Sequence, residues 1–391
     1  MKYEEALEFC KKAVQDFPDA AFVHNAQGLC YMYLDRFEES EACFKKAIEV
    51  YQGTGRFVSY TNLVKLYQRF CKFDKALEIY KEYTDRFSID DIPSNEKYGE
   101  LYEDLDLWDD ALNARMRAYR KKLVKITGNE EEMDADIKIL NTLKKYPDMP
   151  IHKFGGIIYY LRRISEVYAY MGDTARIEEI ADNIRKYMDF AEVPDEEMTD
   201  EYRDTMHYDY WAAGNHFVYT LRSPEDAIKY FSKYIKILKK NEDDLKTYYE
   251  DIASSYDLMS RSYCFLGDTE NAALCANKAL EYIELGFGSV EQYLGFKRST
   301  PLRACRISGL YYWKGNREEA MKLLDMTDKC LKCTHCVHTS CADKIDRLAL
   351  IAEIEGDYEK AIEYYKLGQK IGGTDIERTT GIRECLNKLG K

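Results

Sequence analysis

Acidic turns and small residues alternate along this chain in a pattern that predicts helices packed closely in pairs. Six segments begin at a turn, continue through one or more acidic residues and end in a small side chain. An acidic first turn is typical of the start of a helix, and the small residue that follows must lie against a neighbouring helix. We therefore expect an all-α protein. The segments are residues 35–40, 72–76, 107–111, 267–272, 315–320 and 356–361.

The spacing of the small residues sets a repeat length. Ala6, Ser40, Ala76 and Ala111 follow one another at intervals of 34, 36 and 35 residues. This spacing resembles that of the tetratricopeptide repeat, a helix–turn–helix unit of about 34 residues. The positions that the family fills with small or aromatic residues also fall in register in three consecutive copies. They are Gly28, Tyr31, Ser40, Phe44 and Ala47; Leu63, Tyr67, Ala76 and Tyr80; and Gly99, Tyr102, Ala111 and Ala118.

Beyond residue 120 the period loosens, because the corresponding small or apolar positions lie 41 to 66 residues apart. They are Ile177, Ala227, Ala272, Ala320 and Ala361. Small residues let two helices approach and aromatic residues fill the gap between hairpins, so a single hairpin cannot bury its apolar face alone. The resemblance therefore implies a right-handed α-solenoid of about nine tetratricopeptide-like helical hairpins.

We divide the chain into five segments on these grounds. The first contains regular hairpins, the second is an irregular helical junction and the third contains longer hairpins. A Cys-rich loop follows, and then a final hairpin with a last helix, residues 376–389, that we expect to cap the open end of the stack. The segments are residues 1–122, 123–152, 153–329, 330–341 and 342–391.

In the family that the chain resembles, the first helix of each hairpin lines a concave groove that binds a peptide or helix of another protein. Projecting the groove-facing positions onto this sequence gives a set of mixed charge with aromatic residues toward its C-terminal half. The aromatic segment 202–219 is consistent either with a peptide pocket or with core between hairpins, and burial between hairpins is favoured. The groove set is Asn25, Lys65, Gln68, Glu96, Arg162, His216, Tyr219, Asp257, Arg261 and Tyr312.

Four of the 12 cysteines lie close together, at Cys330, Cys333, Cys336 and Cys341. Close thiolates repel one another, and a soft cation holds them together. The C-x2-C steps suit a structural, tetrahedral zinc, with His335 or His338 as alternative ligands. An iron–sulfur cluster is a second interpretation, although the fourth cysteine is one residue late for a ferredoxin run. Free or redox-active thiols are the third. The other cysteines, such as Cys30, Cys43, Cys71 and Cys264, are interpreted as small core residues.

Charge and composition narrow the classes of partner. The net charge of −13 and the pI of about 5.2 disfavour a nucleic-acid partner, since such binders usually show a basic face. No run of 18 apolar residues exists in the sequence, so we expect no membrane insertion. The chain opens on an acidic amphipathic helix instead of an apolar signal core, which leads us to expect a cytoplasmic protein.

Catalysis has no support from motifs. The sequence contains no P-loop, no dinucleotide-binding glycine fingerprint, no H-E-x-x-H and no G-x-S-x-G. We therefore expect a non-catalytic scaffold for protein–protein interaction, with a zinc clip in the Cys-rich loop. The alternative is a regulatory adaptor that responds to a peptide, a metal or the redox state.

Overall fold

The computed structural model describes residues 2–194, 196–240, 245–295, 300–327, 339–372 and 375–391. These residues fall into two compact units, 1–114 and 115–391. Across the described ranges the secondary structure is helical without any strand, which confirms the all-α prediction. None of the described helices is both long and apolar enough to cross a lipid bilayer.

The first unit consists of consecutive helices, of which the first six pack on their neighbours in chain order. Its core is formed by aromatic and aliphatic residues such as Phe44, Tyr60 and Leu63. The helices are α1 (Lys2–Asp16), α2 (Ala21–Tyr33), α3 (Phe37–Val50), α4 (Val58–Arg69), α5 (Phe73–Arg86), α6 (Ile92–Glu103) and α7 (Trp108–Thr127), which belongs to the second unit from Arg115 onward.

The second unit begins with irregular structure and continues with longer helical hairpins. Short 3-10 turns at Glu130–Asp134 and Ile151–Phe154 flank the first short helix. The helices are α8 (Ile139–Lys145), α9 (Ile157–Met171), α10 (Thr174–Ala191), α11 (Asp200–Asn215), α12 (Pro224–Lys239), α13 (Tyr249–Phe265), α14 (Thr269–Phe287), α15 (Val290–Leu294), α16 (Thr300–Trp313), α17 (Arg317–Thr327), α18 (Thr339–Ile354), α19 (Tyr358–Gly372) and α20 (Ile376–Lys388). Helix α11 continues into a π-helical segment, His216–Thr220.

The same tight turn closes eight hairpins within the described ranges. A residue with positive φ stands two positions before the second helix of each hairpin, and this is the left-handed cap of a Schellman motif. The N–H of the following residue donates back to a carbonyl near the end of the first helix, which in six hairpins belongs to a tyrosine. The positive-φ residues are Asp35, Cys71, Asp106, Gly172, Arg222, Gly267, Gly315 and Gly356. The tyrosines are Tyr31, Tyr67, Tyr102, Tyr168, Tyr263 and Tyr311.

Small residues bring the two helices of a hairpin together, as the sequence pattern predicts. The hydroxyl of Ser40 in α3 donates to the carbonyl of Gly28 in α2 at 2.9 Å. Ser260 donates to the carbonyl of Ala272 at 2.6 Å in the hairpin of α13 and α14. A backbone carbonyl can be reached across the interface only because the side chains at these crossings are small.

The last helix, α20, follows α19 and packs on it, but it also reaches back to the beginning of the second unit. It contacts α9, the π-helical segment and α18, and Thr220 accepts hydrogen bonds from Thr380 and Arg383, which lie 160 and 163 residues later. We expected this helix to cap the open end of the stack. Its contacts extend well beyond that end.

Candidate partner-binding face

The first helices of the hairpins in the second unit converge on one surface, and α20 lies on that surface. The backbone of α20 lies close to the backbones of α9, the π-helical segment and α18. Helix α20 also contacts α13 through an ion pair between Glu377 and Arg261. We call the surface formed by α9, the π-helical segment, α13 and α18 the first-helix face. Five residues of the predicted groove set belong to these elements: Arg162, His216, Tyr219, Asp257 and Arg261.

Charged side chains fix α20 on the first-helix face. The Arg261 Nη1 and Glu377 Oε1 atoms are 2.6 Å apart, and only 5% of the Arg261 side chain is exposed. Burial would raise the pKa of Glu377, but the nearby guanidinium groups of Arg261, Arg222 and Arg347 keep it below its usual value. Glu377 is therefore held as a carboxylate against arginine, the arrangement in which a buried ion pair is stable.

Two more arginines, both on α20 itself, complete the attachment. Arg378 donates to both carboxylate oxygens of Asp346 in α18, at 2.8 and 2.7 Å. Arg383 donates to the carbonyl of Thr220 at 3.0 Å. A bidentate guanidinium–carboxylate pair fixes orientation as well as distance, so α20 is held in one register.

Three residues of the groove set meet at this attachment point. Arg261 lies beneath α20 with its guanidinium 5.4 Å from the centre of the Tyr219 ring. Asp257, one turn earlier on α13, is buried and accepts a hydrogen bond from Trp313 Nε1 at 3.0 Å. Burial chiefly raises the pKa of Tyr219 to about 12. These residues line the surface on which α20 lies.

The other three residues of the groove set in this unit have different contacts. Arg162 pairs with the buried Glu166 at 3.1 Å, and its guanidinium lies 5.6 Å from the Trp211 ring. His216 is fully buried, and burial lowers its pKa to about 3. Tyr312 donates to Glu355 at 2.9 Å. His216 offers nothing to a partner in this conformation.

The aromatic segment 202–219 is mostly core. Tyr202, Tyr210 and Phe217 are buried, and Tyr202 donates its hydroxyl to the carbonyl of Ala191 at 2.8 Å. Tyr208 differs because 59% of it is exposed. The favoured interpretation, burial between hairpins, is confirmed for the three inward-facing rings.

The groove residues of the first unit have separate roles. Asn25 is buried and accepts hydrogen bonds from Ser59 at 2.8 Å and from Asn62 at 2.9 Å, which joins α2 to α4. Lys65 is exposed. Gln68 donates to Glu100 at 2.9 Å. Glu96 is half-buried in α6.

The predicted metal ligands Cys330, Cys333 and Cys336 lie outside the described residues, as does the side chain of Cys341. Elsewhere, in the part of the chain that the structure describes, no three histidine, cysteine or acidic side chains are grouped so that they could hold a metal ion. Of the cysteines interpreted as core, Cys30 is buried, and Cys43, Cys71 and Cys264 are half-buried.

Sequence reasoning missed Arg222 and Glu377. Arg222 is the positive-φ residue of a hairpin turn, a position that gives no sign of burial. Its side chain is nevertheless only 8% exposed and lies 3.4 Å from Glu353. Two cavities, of about 300 and 210 Å³, adjoin Arg261 where α20 crosses the first-helix face. No local pattern could have revealed them, because α20 forms part of the wall of both.

Comparison with known proteins gives matches to one family model over two segments and a set of distant structural likenesses. The family model described as tetratricopeptide repeat matches residues 19–88 and, in a second form, residues 346–371. No curated protein matches the sequence.

Among solved structures, BtubC (BKLC) from P. vanneervenii is 15% identical with a TM-score of 0.37, covering 67% of this chain and 91% of that one. A tetratricopeptide repeat protein from Parabacteroides merdae is 12% identical with a TM-score of 0.32, covering 94% and 99%. A putative kinesin light chain from Podosopora anserina is 14% identical with a TM-score of 0.33, covering 56% and 95%. Similarities at this level carry no conclusion about function.

Proposed function

We propose that the chain is a non-catalytic scaffold for protein–protein interaction, because two of its segments match the tetratricopeptide-repeat family model. The proposed binding site is the first-helix face of the second unit, and the proposed ligand is a helical segment of a partner protein. The observation that carries the proposal is that this face already accommodates an α-helix, α20, through side chains of several first helices.

The contacts of α20 suggest what a partner helix must carry. An acidic residue in the first turn pairs with Arg261, as Glu377 does. A basic residue six positions later reaches the carbonyl of Thr220, as Arg383 does. Because Arg261 is buried, a helix lacking the acidic residue would leave its charge uncompensated, which is strongly unfavourable.

A competition experiment on the full chain tests this proposal. Reversing two charges of α20, with Glu377→Lys and Arg383→Glu, sets like charges against Arg261 and withdraws the donor to Thr220. A labelled peptide of residues 375–391 should then bind the variant more tightly than the wild-type chain, where the resident helix competes. Fluorescence anisotropy measures both affinities.

The matched control reverses two charges on the exposed side of α19, with Glu363→Lys and Lys366→Glu. These residues are exposed, so the control should bind the peptide no better than wild type does. If the α20 variant also fails to bind the peptide, or if a peptide carrying Glu377→Ala binds equally well, the first-helix face does not recognise helices in this way.

A second candidate function is a regulatory adaptor, in which α20 keeps the face closed until a signalling peptide displaces it. The occupation of the face by a helix of the same chain favours this reading. Hydrogen exchange tests this displacement. An added peptide that displaces α20 should speed the exchange of amides in residues 377–388, whereas unchanged exchange on binding would show that the peptide leaves α20 in place and would contradict the adaptor.

We propose separately that Cys330, Cys333, Cys336 and Cys341 hold a structural zinc ion. The support is the number, spacing and softness of the ligands. Elemental analysis of protein purified anaerobically without added metal should give one zinc per chain and no visible absorption band. Iron with visible absorption would indicate a cluster, and the absence of metal would leave free thiols that could make an adaptor redox-responsive.

A further inference from the structure

A cavity of about 300 Å³ lies where α20 crosses the ends of α13 and α18, and two arginines from different hairpins line it. Arg222 comes from the turn before α12 and Arg261 from the C-terminal half of α13. The exposed fractions of their side chains are only 8% and 5%. Buried guanidinium groups are costly unless their N–H groups are paired, so the hydrogen bonds of these two side chains decide what the cavity can hold.

Neither arginine is fully paired. Arg222 donates through Nη2 to the Tyr365 hydroxyl at 3.4 Å and its Nη1 lies 3.4 Å from Glu353 Oε2 in an ion pair, whereas its Nε makes no hydrogen bond. Arg261 uses Nη1 for Glu377, whereas its Nε and Nη2 make none. Leaving a buried donor unsatisfied costs about 1–3 kcal/mol. An oxygen-rich group in the cavity would supply the missing acceptors.

Apolar side chains form part of the remaining wall. Phe217 and Val218 are buried there, and the ring of Phe265 lies 5.2 Å from the Arg222 guanidinium and 5.8 Å from that of Arg261. An apolar wall with a few convergent polar groups is the usual composition of a site for a small organic molecule. A bare inorganic anion would leave these apolar surfaces without contact.

The charges around the cavity limit the charge of the ligand. Arg222 is already opposed by Glu353, and Arg261 by Glu377. The other charged residues of the wall are Glu384 and Lys388 of α20, which have opposite signs. A dianion would therefore add two negative charges beside two glutamates, whereas a single carboxylate adds one and accepts from the N–H groups of the arginines that make no hydrogen bond.

We propose that this cavity binds a small organic monocarboxylate, with its carboxylate between Arg222 and Arg261 and its apolar body against Phe217, Val218 and Phe265. The planar guanidinium fork matches the geometry of a carboxylate. Because Glu384 and Lys388 of α20 form part of the wall, the ligand contacts the docked helix as well as the face beneath it.

The test compares probes of equal shape on the full chain. Phenylacetate supplies one carboxylate on an aromatic body, phenylacetamide is its neutral counterpart, and inorganic phosphate supplies charge alone. Isothermal titration calorimetry should give phenylacetate an affinity at least about tenfold higher than that of phenylacetamide, since charge-assisted hydrogen bonds are roughly twice as strong as neutral ones. Phosphate should bind more weakly than phenylacetate.

Two variants test whether the ligand binds in the cavity. Arg222→Gln removes one guanidinium, and Cys264→Phe fills the space with every charge kept; both should abolish the preference for the acid. The control Leu302→Phe adds an aromatic ring beside the second cavity. It should leave the preference for the acid over the amide unchanged. Equal binding of acid and amide overturns the proposal, as does phosphate binding equal to that of the acid. So does a failure of phenylacetate, benzoate and hexanoate alike to bind.

Discussion

At the scale of single residues, burial decides whether a side chain is available to a partner, even where its position on the helix predicts a groove residue. His216 faces the side of its helix that the repeat pattern assigns to the groove, yet it is fully buried, and neither ring nitrogen makes a hydrogen bond within the part of the chain described. Glu166, Arg162, Arg185 and Asp226 all act on its charge. The imidazole is therefore held neutral inside the protein.

The buried imidazole predicts a pH-dependent loss of stability. Its pKa is about 3 in the folded chain, against 6.5 as the ordinary value. The unfolded chain thus takes up the proton first, and stability falls as the pH decreases from 6.5 toward 3. Between pH 7.5 and 5 this residue should cost about 2 kcal/mol. Urea unfolding of His216→Leu should show a loss smaller by that amount, and equal losses in both proteins would contradict the assignment.

The glycines of the hairpin turns allow a second prediction at this scale. Gly267 has a φ of +75° and Gly315 a φ of +84°, and a Cβ atom on either would meet nothing within 4 Å. Substitution by alanine therefore tests backbone conformation alone, and it should cost about 1 kcal/mol at each position. Chemical denaturation measures both. A neutral result at either glycine would show that its turn relaxes out of the left-handed region.

At the scale of helices, close approach within hairpins depends on glycines that face aromatic rings. A Cβ atom on Gly28 of α2 would lie 2.7 Å from the Phe44 ring, and one on Gly214 of α11 would lie 2.8 Å from the Phe231 ring. These contacts are too short to exist without movement of the ring or of the helix. The glycine and the aromatic residue are therefore complementary parts of one interface.

Gly28→Ala should consequently destabilise the first unit by about 1–3 kcal/mol through overpacking, despite the better helix propensity of alanine. Gly286→Ala is the matched control. Gly286 also lies in a helix, but its Cβ would make ordinary contact at 3.5 Å with Tyr249. Thermal unfolding should show a loss for the first variant and little change or a gain for the second. Equal effects would mean that propensity, and not packing, governs both sites.

The hairpins were predictable from sequence because their contacts are local and periodic. Tyr31, Tyr67 and Tyr102 stand at the aromatic positions of the repeat, and each also accepts the hydrogen bond of its turn. The return of α20 was not predictable in this way. Arg383 and Thr220, which meet across 163 residues, belong to no shared period, and polar residues on a terminal helix resemble a solvated surface.

At the scale of the whole second unit, α20 makes distant hairpins depend on one another. A stack in which each repeat contacts only its neighbours has a stability that is roughly a sum of local terms. Here α9 and α19 both contact α20, although they are far apart in the chain. Loss of α20 from its position should therefore weaken both helices together.

Hydrogen exchange tests this dependence. In the Glu377→Lys, Arg383→Glu variant, amides of α9 should lose protection against exchange together with those of α19. Both helices contact α20, so the local opening of each depends on it. The Glu363→Lys, Lys366→Glu variant, altered only on the exposed side of α19, should leave α9 as protected as in wild type. A loss confined to α19 would show that the contact with α9 contributes little.

The closure of the second unit by α20 also bears on how its sequence can evolve. Repeat arrays lengthen and shorten by duplicating or deleting whole repeats, which is tolerated where each repeat contacts only its neighbours. An added hairpin between α12 and α13 would carry Arg261 and Asp346 away from Thr220, while α20 must contact all three. The number of hairpins from residue 157 onward is therefore constrained by a single helix, and change in this part of the protein is left to substitution.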